Sequence, residues 1–366
     1  MLDTTECPVI RELPDPFLFR DGTRVTTPED WARRRMELKE LFQKYQYGHL
    51  PPPPDRIAAS ELRSLKDKAS GATVRQLVLT MGPQQGILFH MDLVIPPGAG
   101  PFPAIVRGDL GWGPTQPELI EAVAKRGYIL AHFARVNIVA DDAKDRTGAY
   151  RVYPDHDFGA LAAWAWGFHR VADYLLTLDA VAKDKLIATG HSRGGKAALL
   201  AGALDERFAV TAPNNSGCGG AGCYRLQAPK SEDLKAILKN FPHWFQKDFS
   251  RFIDRIDRLP FDQHELKALV APRALLSTEA LGDLWANPLG TQQTHTAAKE
   301  VFAFLGVPDR IGIHFREGGH AQGVDDFHVL MDFCDRQLLG KTVERRFDRL
   351  AFPDAEKGYT WTAPSR

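Results

Sequence analysis

Cysteine is scarce in this chain: four in 366 residues, at Cys7, Cys218, Cys223 and Cys334. So few thiols exclude a disulfide-dense scaffold, and their spacing fits no zinc motif. Reduced, partly buried thiols are the expectation, and no disulfide is implied. Net charge is absent as well, since 46 Lys and Arg balance 46 Asp and Glu. That balance leaves no global field to attract nucleic acid or an anionic membrane. No apolar run reaches the roughly 18 residues that a membrane-spanning helix needs. The opening MLDTTECPVIRELPDPF lacks the basic and apolar regions of a secretory leader. Internal repeats and low-complexity linkers are missing too, which favours one domain over 1–366.

What is present describes a globular protein: 44% hydrophobic and 25% charged residues support a sizeable core. Residues 1–55 read as an arm, with a helical run from Pro28 to about Tyr45 that the four prolines at 51–54 end. Val74–Thr80 and Ile87–Ile95 read as two antiparallel strands joined at Gly82-Pro83. Short apolar runs at 104–106, 128–131, 186–189, 208–212, 274–277 and 311–315 then alternate with helical patterns. Those helices fall at about 158–178, after Ser192, at 291–305 and at 326–338. Such alternation after an antiparallel start implies an α/β protein: a mostly parallel sheet covered by helices on both faces, a three-layer sandwich. The 224–265 segment is expected to be an insertion or cap over the sheet edge.

One motif carries chemistry. In Gly190-His191-Ser192-Arg193-Gly194, an apolar strand precedes the serine and a helical run follows it. Acyl transfer needs a hydroxyl presented on a sharp strand-to-helix turn, and glycines flank it because that turn crowds out side chains. This is the nucleophile turn of the α/β-hydrolase fold, with the Arg193 backbone N–H as an oxyanion donor. In that fold the acid and then the histidine follow the serine in the chain. Among twelve histidines, His320 stands in the glycine-rich loop 317–323 after the last strand, where a base can reach back. The acid is expected after the 274–277 strand, where Glu279 and Asp283 compete, and the turn at Gly282-Asp283 favours Asp283. Its task is to orient the imidazole and stabilise the imidazolium.

The residues go further than the general fold. Gly190-His191-Ser192-Arg193-Gly194-Gly195-Lys196 resembles the serine motif of the glucuronoyl esterases, carbohydrate esterase family 15, in which an arginine follows the serine and a lysine lies four residues after it. Leu13-Pro14-Asp15-Pro16, the Trp31 to Gly48 arm, Asp157-Phe158-Gly159, Trp164–Gly167, Asn215–Gly220, Asn240–Phe245 and Asp283–Pro288 are similar to family segments in the same order, from about residue 11 to 340. The resemblance implies hydrolysis of the ester between the 4-O-methylglucuronate of xylan and lignin alcohols. It implies that Arg193 polarises the carbonyl, that Lys196 donates to sugar hydroxyls and that Trp285 packs against the sugar ring. Many members carry a catalytic glutamate after the strand that follows the nucleophile helix, where this chain has Asn214-Asn215-Ser216. An asparagine cannot supply that charge. Other members, mainly bacterial, use an acid after the later strand, which here is Asp283.

No cofactor or metal is expected, and Asp155-His156-Asp157 reads as a helix cap rather than a ligand cluster. The expected partner is a glucuronoxylan–lignin or simpler glucuronate ester, with no nucleic acid or membrane, acted on by a monomer. The resemblance implies a secreted or periplasmic setting. Two other readings stand beside it: a general carboxylesterase or acetylxylan esterase with the same triad, and a binding protein that kept the fold and lost catalysis.

Overall fold

The computed structural model describes residues 7–365; residues 1–6, the start of the expected arm, lie outside the described residues. Strands whose apolar residues point to both faces organise the molecule. On β4 (Phe102–Arg107), Ala104 and Val106 face one core while Ile105 faces another. On β5 (Ile129–Phe133) the split is Ile129, Ala131 and Phe133 against Leu130, and on β6 (Val181–His191) Leu186 and Ala188 against Ile187. With a side-chain period of two, such strands need cover on both faces.

That cover is supplied by α1 (Pro28–Phe42), α4 (Ala160–Leu175), α5 (Arg193–Leu204) and α8 (Pro288–Phe304) on one side. On the other lie α2 (Pro117–Lys125) and α9 (Val324–Leu339). The sheet is completed by β1 (Ile57–Lys66), β2 (Thr73–Met81), β3 (Ile87–Ile95), β7 (Phe208–Asn214), β8 (Ala274–Ala280) and β9 (Ile311–Arg316). Its nine strands run in the order β1-β2-β3-β5-β4-β6-β7-β8-β9. Pairings from β1 to β5 are antiparallel and those from β5 through β4 to β9 are parallel. This is the three-layer α/β-hydrolase architecture. The expected strands are all present, although β6 begins five residues before the expected 186.

Strand β1 was not anticipated. It is an edge strand whose residues after Ala58 are exposed, so polar side chains stand on both faces and no alternation marks it. Four helices were also unmarked: α2, α3 (Ala149–Val152), α6 (Leu234–Asn240) and α7 (Gln263–Ala268). The 224–265 segment holds α6 and several single turns. It buries Trp244, Phe245, Phe249 and Phe252 and joins the arm through Gln246 N–H to the Gln46 carbonyl at 2.8 Å. All four cysteines are buried and free. Among the described residues no helix is long and apolar enough to cross a membrane.

Register positions the chemistry. His191 of β6 pairs with Asn214 of β7, and Asn214 with Thr278 of β8. The chain leaves three neighbouring strands at one edge, so the turns carrying Ser192, Asn215 and Asp283 converge there.

Candidate active site

Ser192 joins β6 to α5 with φ 55° and ψ −121°, a backbone setting that a serine occupies only under constraint. The constraint is visible. Its N–H donates to the Asn214 carbonyl at 2.9 Å. A Cβ on Gly190 would stand 2.5 Å from the Gly194 carbonyl oxygen, and one on Gly194 would stand 2.1 Å from Asp109 Oδ1. Asp109 braces the turn from behind: it accepts the His191 N–H at 3.1 Å and pairs with Arg107 at 3.2 Å and with buried Arg135. Burial pushes the Asp109 carboxyl up, but the two guanidinium groups outweigh it and hold it below the usual carboxylate range. Arg193 opens α5, where a helix directs its first N–H groups outward.

His320 Nδ1 lies 2.5 Å from Asp283 Oδ2, on the glycine-rich loop after β9. That loop is held against the loop after β8 by Gly282 N–H to the Gly318 carbonyl at 2.9 Å. Asp283 Oδ2 also accepts from Asn215 Nδ2 at 2.8 Å. Burial raises the Asp283 carboxyl, yet these two hydrogen bonds prevail and its pKa is lowered. Of the two competing carboxylates, Asp283 is the one that reaches the histidine. Glu279 is buried in β8, and burial pushes its carboxyl up to about 8. Ser192 and His320 line one cavity, with the His191 ring 4.5 Å from that of His320. Among the described residues no hydrogen bond yet joins Ser192 to His320; catalytic contacts often tighten only with substrate bound.

The Arg193 side chain is anchored. Its Nη1 pairs with Asp141 Oδ2, and its guanidinium lies over the rings of Trp244 at 4.9 Å and Phe241 at 5.1 Å. Asp141 Oδ1 accepts from His243 Nε2 at 2.9 Å and from Trp244 Nε1 at 2.7 Å. Burial raises the Asp141 pKa, but the hydrogen bonds from His243, Trp244 and Arg193 overcome it and set it well below the usual carboxylate range.

One helical turn on, Lys196 is buried rather than on a solvated face, and its ammonium donates to the Ser216 carbonyl. Burial lowers its pKa, opposed by the charge of Glu232. Glu232 is itself buried, its pKa raised chiefly by that burial, and its Oε1 has no hydrogen-bond partner among the described residues. Its N–H bonds the Trp285 carbonyl at 3.0 Å, while the Trp285 side chain stays 50% exposed. Of these three side chains only the Trp285 indole is exposed; the Lys196 ammonium and the Glu232 carboxylate are buried. Asp157, by contrast, is engaged by His49 at 3.0 Å, and no group of three metal-ligating side chains occurs among the described residues.

Asp141, Glu232 and the Asp109–Arg135 brace went unnoticed in the sequence, because none stands in a periodic segment. Asp141 acts through Arg193, 52 residues away, and His243, 102 away, while Asp109 and Arg135 lie 26 apart. Asn215 and the Asn240–Phe245 segment, which supplies His243 and Trp244, stood in stretches similar to family segments, but that signal named no role for Asn215, His243 or Trp244.

Residues 80–306 match the family model described as glucuronyl esterase, fungi. A 4-O-methyl-glucuronoyl methylesterase of Podospora anserina is 34% identical over 334 residues, covering 86% of this chain. The chain spans 64% of that relative's length. A glucuronoyl esterase of carbohydrate esterase family 15 from Caldicellulosiruptor kristjansonii superposes with a TM-score of 0.85 at 34% identity, over 99% of this chain and 100% of that one. A mutant glucuronoyl esterase from Sporotrichum thermophile, solved with methyl 4-O-methyl-β-D-glucopyranuronate, gives 0.76 at 27% identity over 92% and 90%.

Proposed function

The chain belongs to the glucuronoyl esterases of carbohydrate esterase family 15, and from that membership we propose that it hydrolyses esters of 4-O-methylglucuronate by a serine mechanism. The observation that carries the reading is the 2.5 Å contact of His320 with Asp283 beside a serine held at φ 55°. His320 Nδ1 donates to Asp283, which leaves Nε2 to take the Ser192 proton as the hydroxyl attacks the ester carbonyl. The tetrahedral oxyanion is stabilised by the Arg193 N–H and by its guanidinium, which Asp141 holds in place before charge develops. His320 then protonates the leaving alcohol. Water hydrolyses the acyl-enzyme by the same route in reverse.

On the acyl side, Lys196 and Glu232 hydrogen-bond the sugar hydroxyls and Trp285 covers the ring. The substrate analogue in the Sporotrichum relative is of this chemical class. The natural target is the ester joining glucuronoxylan to lignin alcohols. Polymers of that size do not enter a cell, so the enzyme works in a secreted or periplasmic setting. It acts as a monomer.

The test compares hydrolysis of benzyl glucuronate with that of 4-nitrophenyl acetate, with Ser192→Ala as control. A clear preference for the glucuronate ester is expected, together with a ~10⁶-fold loss of turnover in the variant. Activity on the acetate alone would keep the serine hydrolase and return the reading to a general carboxylesterase or acetylxylan esterase.

A further inference from the structure

The stretch that carries the base has little of its own to hold it in place. Residues 317–321 are all exposed, and besides His320 they are Glu317, two glycines and an alanine. Such a segment packs no apolar side chain, so hydrogen bonds must give it its shape. Arg316, the last residue of β9, supplies them, and all three of its guanidinium nitrogens are engaged. Nη1 donates to the Glu317 carbonyl at 3.0 Å. Nη2 donates to the Gly319 carbonyl at 3.4 Å and to that of Ala321, the residues on either side of His320. Nε donates to Asp326 Oδ1 at 2.9 Å. The loop is therefore wrapped around one side chain, whose planar fork fixes the directions of the carbonyls it holds.

Asp326 is the immobile end. It is buried, and its Oδ2 accepts the Gly323 N–H at 2.8 Å where α9 begins. Its Oδ1 also meets Asn214 Nδ2 at 3.4 Å, and Asn214 Oδ1 lies 2.7 Å from Nδ1 of His191, the residue before Ser192. Four side chains, Arg316, Asp326, Asn214 and His191, thus join the loop of the base to the turn of the nucleophile. Among the described residues none of the four bonds Asp283, which is held by His320 and Asn215. We propose that Arg316 is a positioning residue for the reaction: it shapes the His320 loop around its guanidinium and, through Asp326, Asn214 and His191, sets where the base stands relative to Ser192. Asp283 orients the ring, and Arg316 places the backbone that carries it. The proposal rests on the esterase reading above only in needing His320 as the base, and it applies to any ester that Ser192 attacks.

The experiment measures kcat and KM on benzyl glucuronate for wild type, Arg316→Met and Arg316→Lys, each alone and combined with His320→Ala. Arg316→Met removes every donor and should lower kcat ~10–10²-fold, the scale of a misplaced catalytic group, with KM within ~2-fold of wild type. Arg316→Lys keeps the charge without the fork, so kcat should fall in the same sense by a smaller factor. Being the milder change, it carries the test if the Met variant does not fold. In enzyme that already lacks the base, either change should cost less than ~2-fold, because residues that act as a unit are not additive. A kcat within ~2-fold of wild type in every folded variant would overturn the proposal, as would a loss carried by KM. An undiminished loss in the His320→Ala background would overturn it too and mark a purely structural side chain. If wild type cleaves 4-nitrophenyl acetate and not the glucuronate, the glucuronate reading falls, and the same cycle on the acetate decides Arg316. Activity on neither ester would overturn both.

Discussion

A guanidinium beside a reacting carbonyl lowers the barrier only if it is aimed before charge develops, because reorientation during the reaction consumes the gain. Asp141 provides that aim for Arg193, and His243 and Trp244 hold Asp141 in turn. Asp141→Asn keeps the shape and removes the charge, so kcat should fall ~10²-fold, the scale of losing one oxyanion donor. Stability should change with a definite sign. The folded-state pKa of Asp141 is lowered from its ordinary 3.8, so its stabilisation is fully present above that value and is lost as the pH falls through the lowered one. The variant should therefore melt below wild type at pH 7, with a gap that narrows as the pH drops under 3.8. Melting curves at neutral and acid pH check this, and a constant gap would contradict it. The residues that the sequence did indicate, Ser192, His320 and Asp283, each stand in a turn directly after an apolar strand, so local pattern located them. Asp141 and Glu232 have no such frame. Their meaning comes from partners, Arg193 and Lys196, that only the folded chain brings close.

At the scale of elements, α5 must lie unusually close to β7 for Ser192 to sit at the sheet edge. Gly202 makes this possible: a Cβ there would stand 1.9 Å from Thr211 Oγ1, and Thr211 is buried and β-branched. Gly202→Ala ordinarily favours a helix by up to ~1 kcal/mol. Here the clash should reverse that, costing ~1–3 kcal/mol through displacement of α5 from the sheet. Chemical denaturation followed by circular dichroism reads the difference, and a midpoint equal to or above wild type would refute the packing argument. The central parallel strands were legible because both of their faces are apolar, whereas β1 was not because neither is. Visibility in sequence thus follows burial. An edge strand held by backbone hydrogen bonds to β2 leaves no hydrophobic trace.

Across the whole molecule, the two ends of the chain pack together. Leu13 N–H donates to the Gly358 carbonyl at 2.8 Å, and Trp361 Nε1 donates back to the Leu13 carbonyl at 2.7 Å. Trp361 also stacks on Tyr359 at 4.1 Å and meets Phe17 edge-on at 6.1 Å. The arm that begins there carries α1, whose Arg34 reaches the fully buried Glu265 at 3.1 Å. Tyr47, just beyond α1, bonds the Gly219 carbonyl at 3.0 Å in the loop that follows Ser216. The tail therefore fastens the arm, and the arm backs the loop whose Ser216 carbonyl receives Lys196. Nothing in the residues after 340 announces this, because Tyr359 and Trp361, like Phe347 and Phe352 before them, follow no period. Trp361→Ala removes one indole from a partly exposed site, so the loss should be ~2–3 kcal/mol, below the range for fully buried tryptophans. Limited proteolysis supplies the sharper readout. If tail and arm form one unit, the variant should be cut sooner both after Arg345 and within residues 7–25, at matching rates. Cleavage confined to the tail, with the arm as resistant as in wild type, would mean that α1 holds the arm by itself through Trp31, Arg34 and Leu38.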